Sequence, residues 1–299
     1  MQRDERFDRA EKIITIGFWV NAGLMLMKLA AGHWGHSAAV FADGVESACD
    51  FVAIGSTMVA LKLGRQPCDE NHPYGHGRAE SLAALLIALV IIASGIWILV
   101  HAVQVVVRQD VTPPGWIAVA AAAATILIKG WLYRYSADTG RQLESPSLLA
   151  IAQDHRKDAL TSVATLVGVV GAVLGWGVMD PLAAGVTALF IVHIGWQTLS
   201  GACHDLMDGT VHGEYIQEIT SLAEAVPHVE QVHEIRARRS GQYIIIDLKL
   251  EMDPQMTVKQ SHDVATEVKR QIFEQFHNVG DVMIHINPHA EEHEDLIRL

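Results

Sequence analysis

Six runs of mostly apolar residues, each long enough to cross about 30 Å of hydrocarbon as a helix, dominate the first two thirds of this sequence. They fall at roughly 13–32, 38–61, 80–105, 115–135, 147–176 and 181–203. Hydrocarbon offers no hydrogen-bond partners, so a run that spans it must satisfy its own backbone, and a helix does this within one segment. The opening MQRDERFDRAEK alternates charges and lacks the basic, apolar and small-residue regions of a cleaved leader, so the first run is expected to be a retained span.

Basic residues set the orientation. Arg3, Arg6, Arg9 and Lys12 precede the first run, Lys62, Arg65 and Arg78 flank the second connection, and Arg134 and Arg141 flank the fourth. The opposite connections hold only Arg108, and the stretches GHWGHS and GWGVMDP hold no Lys or Arg. By the positive-inside rule both termini are expected in the cytoplasm, with the protein a multi-pass resident of a bacterial inner membrane.

After Asp208 the character changes to ordinary soluble sequence, giving two expected domains, 1–208 and 209–299. The second reads as a helix near 213–226, strands near 229–239 and 242–252, a helix near 257–276 and a last strand near 280–287. The alternation in QYIIIDLKLEM carries the middle strand. The expected fold is therefore an α-helical membrane bundle of six spans followed by a small cytoplasmic α+β layer, whose open sheet edge and limited core favour a homodimer. This part holds 8 Lys+Arg against 16 Asp+Glu, or −8 of the formal −12 on the chain, which argues against nucleic acid as a partner. Cys49, Cys68 and Cys203 form no CxxC pair, so neither a disulfide framework nor a zinc ribbon is indicated.

The chemistry lies in ionisable residues placed where hydrocarbon should be: Asp43, Glu46 and Asp50 in the second run, and Asp154, His155, Arg156, Lys157 and Asp158 in the fifth. Glu46 and Asp50 are four apart, as are Asp154 and Asp158, so each pair projects from one helix face. Two such faces meeting would offer four carboxylates to a divalent cation, which would neutralise charges that could not otherwise coexist in a low-dielectric bundle. Once the cation leaves, the mutually repelling carboxylates would take up protons, a physical basis for exchange of metal for protons. The bland alternative pairs these carboxylates with Lys28, Lys129, Arg156 or Lys157, or lets the lysines snorkel. Asp43, near the Glu46 face and one turn toward the outside, would line an exit path or cap the site. His155, about 100° round the helix from Asp154, is expected to support the site without ligating.

The stretches AVFADGVESACD, QPCDENHPYGHGRAES, AQDHRKDA, RARRSGQYIIIDLKLEM and DVMIHINP resemble the cation diffusion facilitator family over essentially the whole chain, and the D-x-N-H-P-Y-G-H-G-[KR]-x-E loop is specific to it. The resemblance implies a transporter, not an enzyme, with a ferredoxin-like cytoplasmic domain. It implies a transport site at Glu46, Asp50, Asp154 and Asp158, and a loop site at Asp69, His72 and His76. Its cytoplasmic metal positions fall on His233, Lys249, His262, His285 and Asn287. A lysine ammonium does not ligate and Asn287 lacks a charge, which leaves His233, His262 and His285. An all-oxygen transport site tilts the substrate toward Fe²⁺ or Mn²⁺, with Zn²⁺ admitted. The resemblance also implies a charged interlock between Arg78 and Asp208. A non-transporting relative that senses metal or organises partners is the rival reading. An intramembrane metalloprotease would need an H-E-x-x-H helix, a pattern this sequence lacks. His289 and His293, among acids in PHAEEHEDL, read as a solvated end more readily than as ligands.

Overall fold

The computed structural model describes residues 3–109, 111–143 and 145–289, with side chains from residue 12 onward; His293 lies outside the described residues. The chain divides into two compact units, Met1–Ser56 with Leu86–Leu199 and Thr57–Leu85 with Ser200–Leu299.

Each of the six apolar runs is a helix: α1 (Arg3–Trp34), α2 (Ala38–Gly64), α3 (Ala79–Arg108), α4 (Trp116–Gln142), α5 (Pro146–Val173) and α6 (Met179–Leu206). Five are long and apolar enough to cross a membrane by length and composition. The other, α5, carries Asp154, Arg156, Lys157 and Asp158. Its start is fixed locally: Pro146 occupies the first turn, where its missing N–H costs nothing, and Ser145 Oγ accepts from Leu148 N.

The core of the first unit is built largely from small residues, among them Ala31, Ala39, Ala42, Ala118, Ala121, Ala122, Ala184 and Ala188. Small side chains let helix backbones approach closely, the usual basis of helix packing in lipid. At Gly32 a Cβ would lie 2.5 Å from the Phe41 backbone nitrogen, and at Gly168 it would overlap the Cβ of Ala183. Large apolar side chains point outward instead, including Leu26, Leu86, Val90, Leu127, Leu160, Leu189 and Phe190. Trp34, Trp116 and Trp176, 71–73 % exposed, fall at the end of α1, the start of α4 and just past α5. Alternating helix direction puts these three positions at one end of the unit, as an interfacial aromatic belt requires.

The second unit holds α7 (Gly213–Glu224), β1 (Gln231–Ser240), β2 (Tyr243–Met252), α8 (Val258–Gln275) and β3 (Val279–Pro288). β1 and β2 pair antiparallel through a two-residue turn opened by Gly241 at φ +62°, a backbone that glycine adopts without strain. β3 pairs parallel to β2 after the α8 crossover, giving sheet order β1-β2-β3. α8 opens on a capping box in which Thr257 Oγ1 accepts from Gln260 N and Thr257 N donates to Gln260 Oε1. Ile244, Ile246, Leu248 and Leu250 of β2 pack with Ile219 and Ala223 of α7 and Val268 and Ile272 of α8. Asp247, Lys249 and Glu251 therefore occupy the opposite face, by the two-residue period of a strand. The result is a small α+β layer with a three-stranded sheet, as expected from the alternation in β2.

Candidate metal centres

The membrane carboxylates lie in the first unit. Asp50, Asp154 and Asp158 line one cavity of about 470 Å³ together with Asn21, Ser47, Lys129, His155 and Lys157. Glu46 is half-buried one turn before Asp50 in α2 and does not line this cavity. Three of the four carboxylates thus face one cavity, but the four do not close into a ligand cage: the ligand atoms of no three of them lie within 4.8 Å of one another.

Lys28 and Lys129, for which pairing and snorkelling were the two alternatives, are buried and paired. Lys28 is 2 % exposed; its Nζ donates to Asp43 Oδ1 at 2.8 Å and to Ser47 Oγ at 3.1 Å, while Ser162 Oγ donates to Asp43 Oδ2 at 3.0 Å. Asp43 is held in this cluster joining α1, α2 and α5. Lys129, 5 % exposed, donates from Nζ to Asp158 Oδ2 at 2.6 Å. The bland pairing is therefore realised at Asp43 and, at Asp158, within the candidate site itself. These pairs lie 15 and 29 residues apart in sequence, a separation at which only helix rotation decides who meets whom.

His155 is buried with an unpartnered Nε2, and a Cβ on Gly17 would stand 3.6 Å from that nitrogen. Its ring thus reaches toward α1, on the lining of the same cavity as Asp154 and Asp158. Sequence reasoning also missed Asp180. Its carboxylate accepts from Ser37 Oγ at 2.6 Å and from the Ala38 and Ala39 backbone N–H groups, capping α2 from the start of α6. The signal was present: an acid in a first turn, facing a Ser that precedes another helix.

The loop residues of the second unit do converge. Among the described residues, Asp69, His72 and His76 are the one group whose ligand atoms lie within 4.8 Å of one another. Asp69 Oδ1 lies 3.1 Å from His72 Nδ1, Asp69 Oδ2 lies 3.4 Å from His76 Nε2, and the two imidazole centroids are 4.4 Å apart. The loop is shaped by Asp69 itself, whose Oδ1 accepts from His72 N at 2.6 Å and Asn71 N at 2.9 Å. Hydrogen bonds from His72, and then Asn71, hold the Asp69 carboxyl below its ordinary value and so keep it ionised, as a ligand must be. His76 Nδ1 is buried without a partner. One carboxylate and two imidazoles fit a first-row divalent cation.

Within one chain the expected ligands His233, His262 and His285 do not form a group of converging ligand atoms. His233 Nδ1 pairs with Glu251 Oε1 at 3.0 Å, and His289 Nδ1 pairs with Glu251 Oε2 at 2.8 Å. His289 is thereby tied to the sheet, which corrects its expected place on a solvated end. His285 is exposed on β3, opposite Lys249 on the outer sheet face, while His262 is exposed on α8, which covers the other face. Lys249 Nζ pairs with Glu234 Oε2 at 2.7 Å, and Lys249 and Arg236 together hold the Glu234 carboxyl below its ordinary value. Glu251, a buried carboxylate between two imidazoles, had no sequence signal beyond lying on the outward face of β2. Arg78 and Asp208 do meet, and Arg238 Nη1 joins them at 3.2 Å from Asp208 Oδ1. The three cysteines are free.

A family model described as the cation efflux transmembrane domain matches residues 14–207. A second, described as the cytoplasmic domain of cation efflux proteins, matches residues 211–289. Among curated proteins, the manganese efflux system protein MneP of Bacillus subtilis is 34% identical over 295 residues, covering 96% of this chain and 99% of that protein. The magnetosome protein MamB of Magnetospirillum gryphiswaldense is 30% identical, with 94% of this chain and 95% of its own length covered. Metal tolerance protein C1 of Arabidopsis thaliana is 32% identical, covering 94% of this chain and 63% of that protein. Among solved structures, a MamM CTD is 31% identical with a TM-score of 0.25, covering 26% of this chain and 99% of that one.

Proposed function

Because the chain belongs to the cation diffusion facilitator family, we propose that it is a homodimeric efflux transporter that moves a divalent transition metal out of the cytoplasm in exchange for protons. The observation that carries this reading is the cavity between the membrane helices, lined by Asp50 of α2 and by Asp154 and Asp158 of α5. Carboxylates in such a place are costly unless a cation visits them. Glu46 completes the transport site when the helices close around the metal. As the metal leaves, protons replace it on the same oxygens, and a rocking of helices exposes the site to alternate sides.

Oxygen donors throughout the site favour Mn²⁺ or Fe²⁺, with Zn²⁺ admitted; the likeness to a manganese efflux protein supports the same order. Residues 1–208 form the membrane domain with both termini in the cytoplasm, and residues 209–299 form the cytoplasmic domain through which two copies pair. Asp69, His72 and His76 collect metal on the cytoplasmic connection. His233, His262 and His285 serve as weaker ligands, brought together only if two chains combine them.

The deciding experiment is flux of Mn²⁺, Fe²⁺ and Zn²⁺ into proteoliposomes under an imposed pH gradient, comparing wild type with Asp50→Ala plus Asp158→Ala. Gradient-dependent flux lost in the double variant is expected. An intact dimer that moves none of the three ions would overturn transport in favour of a sensing or scaffolding role.

A further inference from the structure

Two lysines line the transport cavity, the exposed Lys157 and the buried Lys129. Two lysines are buried among the membrane helices, and their surroundings differ. Lys28 is satisfied by Asp43 and Ser47, and neither it nor Asp43 lines the cavity. Lys129 lines the cavity, and its ammonium sits 2.6 Å from an oxygen of Asp158, one of the proposed ligands. A divalent cation binding Asp158 through that oxygen would require the lone pair and the negative potential that the ammonium now uses.

We propose that Lys129 is a tethered counter-cation that occupies Asp158 in the metal-free site and is displaced when the metal binds. This positioning role rests on reading the cavity as the transport site. The ammonium keeps Asp158 from standing as an unpaired charge in a low-dielectric bundle while the site is empty. Because α4 anchors it, the ammonium acts at a high effective concentration and stays beside the site after displacement. It therefore weakens metal binding and, by returning to Asp158, speeds metal release. A transporter gains from this, since cargo held too tightly is not delivered. The mobile part is the four-carbon stem, which swings without backbone motion.

The test compares wild type, Lys129→Met, Lys129→Arg and Lys28→Met. Mn²⁺ binding to the purified full chain is measured by titration, counting only the component lost in Asp50→Ala plus Asp158→Ala. KM and kcat for Mn²⁺ flux are measured in proteoliposomes. Lys129→Met is expected to tighten this component about tenfold or more, the scale set by coupling between close charge pairs. KM and kcat should fall together as release slows. Lys129→Arg retains the charge and stays near wild type, whereas Lys28→Met lowers stability without tightening binding. A merely structural lysine would not yield tighter binding on removal. Should Lys129→Met fail to fold, Lys129→Gln carries the same expectation with a polar head. Unchanged or weaker binding in the Lys129 variants, with the component still lost in the Asp50/Asp158 pair, would overturn the counter-cation alone. Persistence of the component in that pair would instead overturn the cavity as the transport site.

Discussion

Asp43 offers a sharp test of structure against function, because its sequence position invites a part in the metal path while its contacts assign it to scaffolding. Lys28 and Asp43 have side chains only 2% and 6% exposed, 2.8 Å apart. At an effective dielectric of about 20, two unit charges at that separation attract by about 6 kcal/mol. Desolvation offsets much of this, but removing one partner leaves the other charge buried and uncompensated, at a cost of about 3–5 kcal/mol. Asp43→Ala or Lys28→Met should therefore lower the melting temperature of the detergent-solubilised protein by about 10 °C, at the 2–4 °C per kcal/mol usual for a unit of this size. Replacing both, as Lys28→Met with Asp43→Leu, removes the charges together and should recover stability to within about 1–2 kcal/mol of wild type. If Asp43 only holds helices together, the double variant also recovers Mn²⁺ flux. A double variant that melts like wild type yet transports nothing would refute the scaffolding role and return Asp43 to the metal path.

Two further outcomes are expected. Asp69→Asn keeps the oxygen that accepts from Asn71 and His72, so the loop should hold its shape and the melting temperature should stay near that of wild type; losing the charge and one ligand oxygen should weaken metal binding at the loop at least about tenfold in isothermal titration. In the second unit, Lys269 donates to Asp281 at 2.9 Å and holds its carboxyl below the ordinary 3.8. A depressed carboxyl stabilises the fold above its unfolded value and loses that contribution as pH falls through the folded one. Asp281→Asn should thus cost less than about 1 kcal/mol at neutral pH, since both side chains are more than a third exposed, and nothing once the pH is below the folded value, as read from paired thermal melts.

The helices were legible because hydropathy over a long run is a collective signal that no single residue can mask. Even α5, interrupted by Asp154, Arg156, Lys157 and Asp158, keeps enough apolar residues on either side to be recognised. The strands were legible from period-two alternation, clearest in β2, where Ile244, Ile246, Leu248 and Leu250 all turn to the core. The loop trio of Asp69, His72 and His76 was legible only through the family resemblance, since two histidines beside Gly and Pro are by spacing alone ordinary loop residues. Partners that meet across helices were not. The fates of Lys28 and Lys129 depend on how α1 and α4 are rotated against α2 and α5, and a linear sequence carries no direct record of rotation. The same holds for Asp180, whose three acceptor contacts lie more than 140 residues away.

The Asp180 cap and the Lys28–Asp43–Ser162 cluster together impose a mechanical condition. The first pins the beginning of α2 to α6, and the second pins α2 to α5 between Asp43 and Ser162. Asp50 on α2 and Asp154 and Asp158 on α5 all lie beyond that second pin, on the same side of it, because the two helices run in opposite directions. Opening about that pin would separate Asp50 and Asp154, seven and eight residues from it, more than Asp158, four residues from it, so a change of helix angle would be read out as a change of carboxylate spacing graded along α2 and α5.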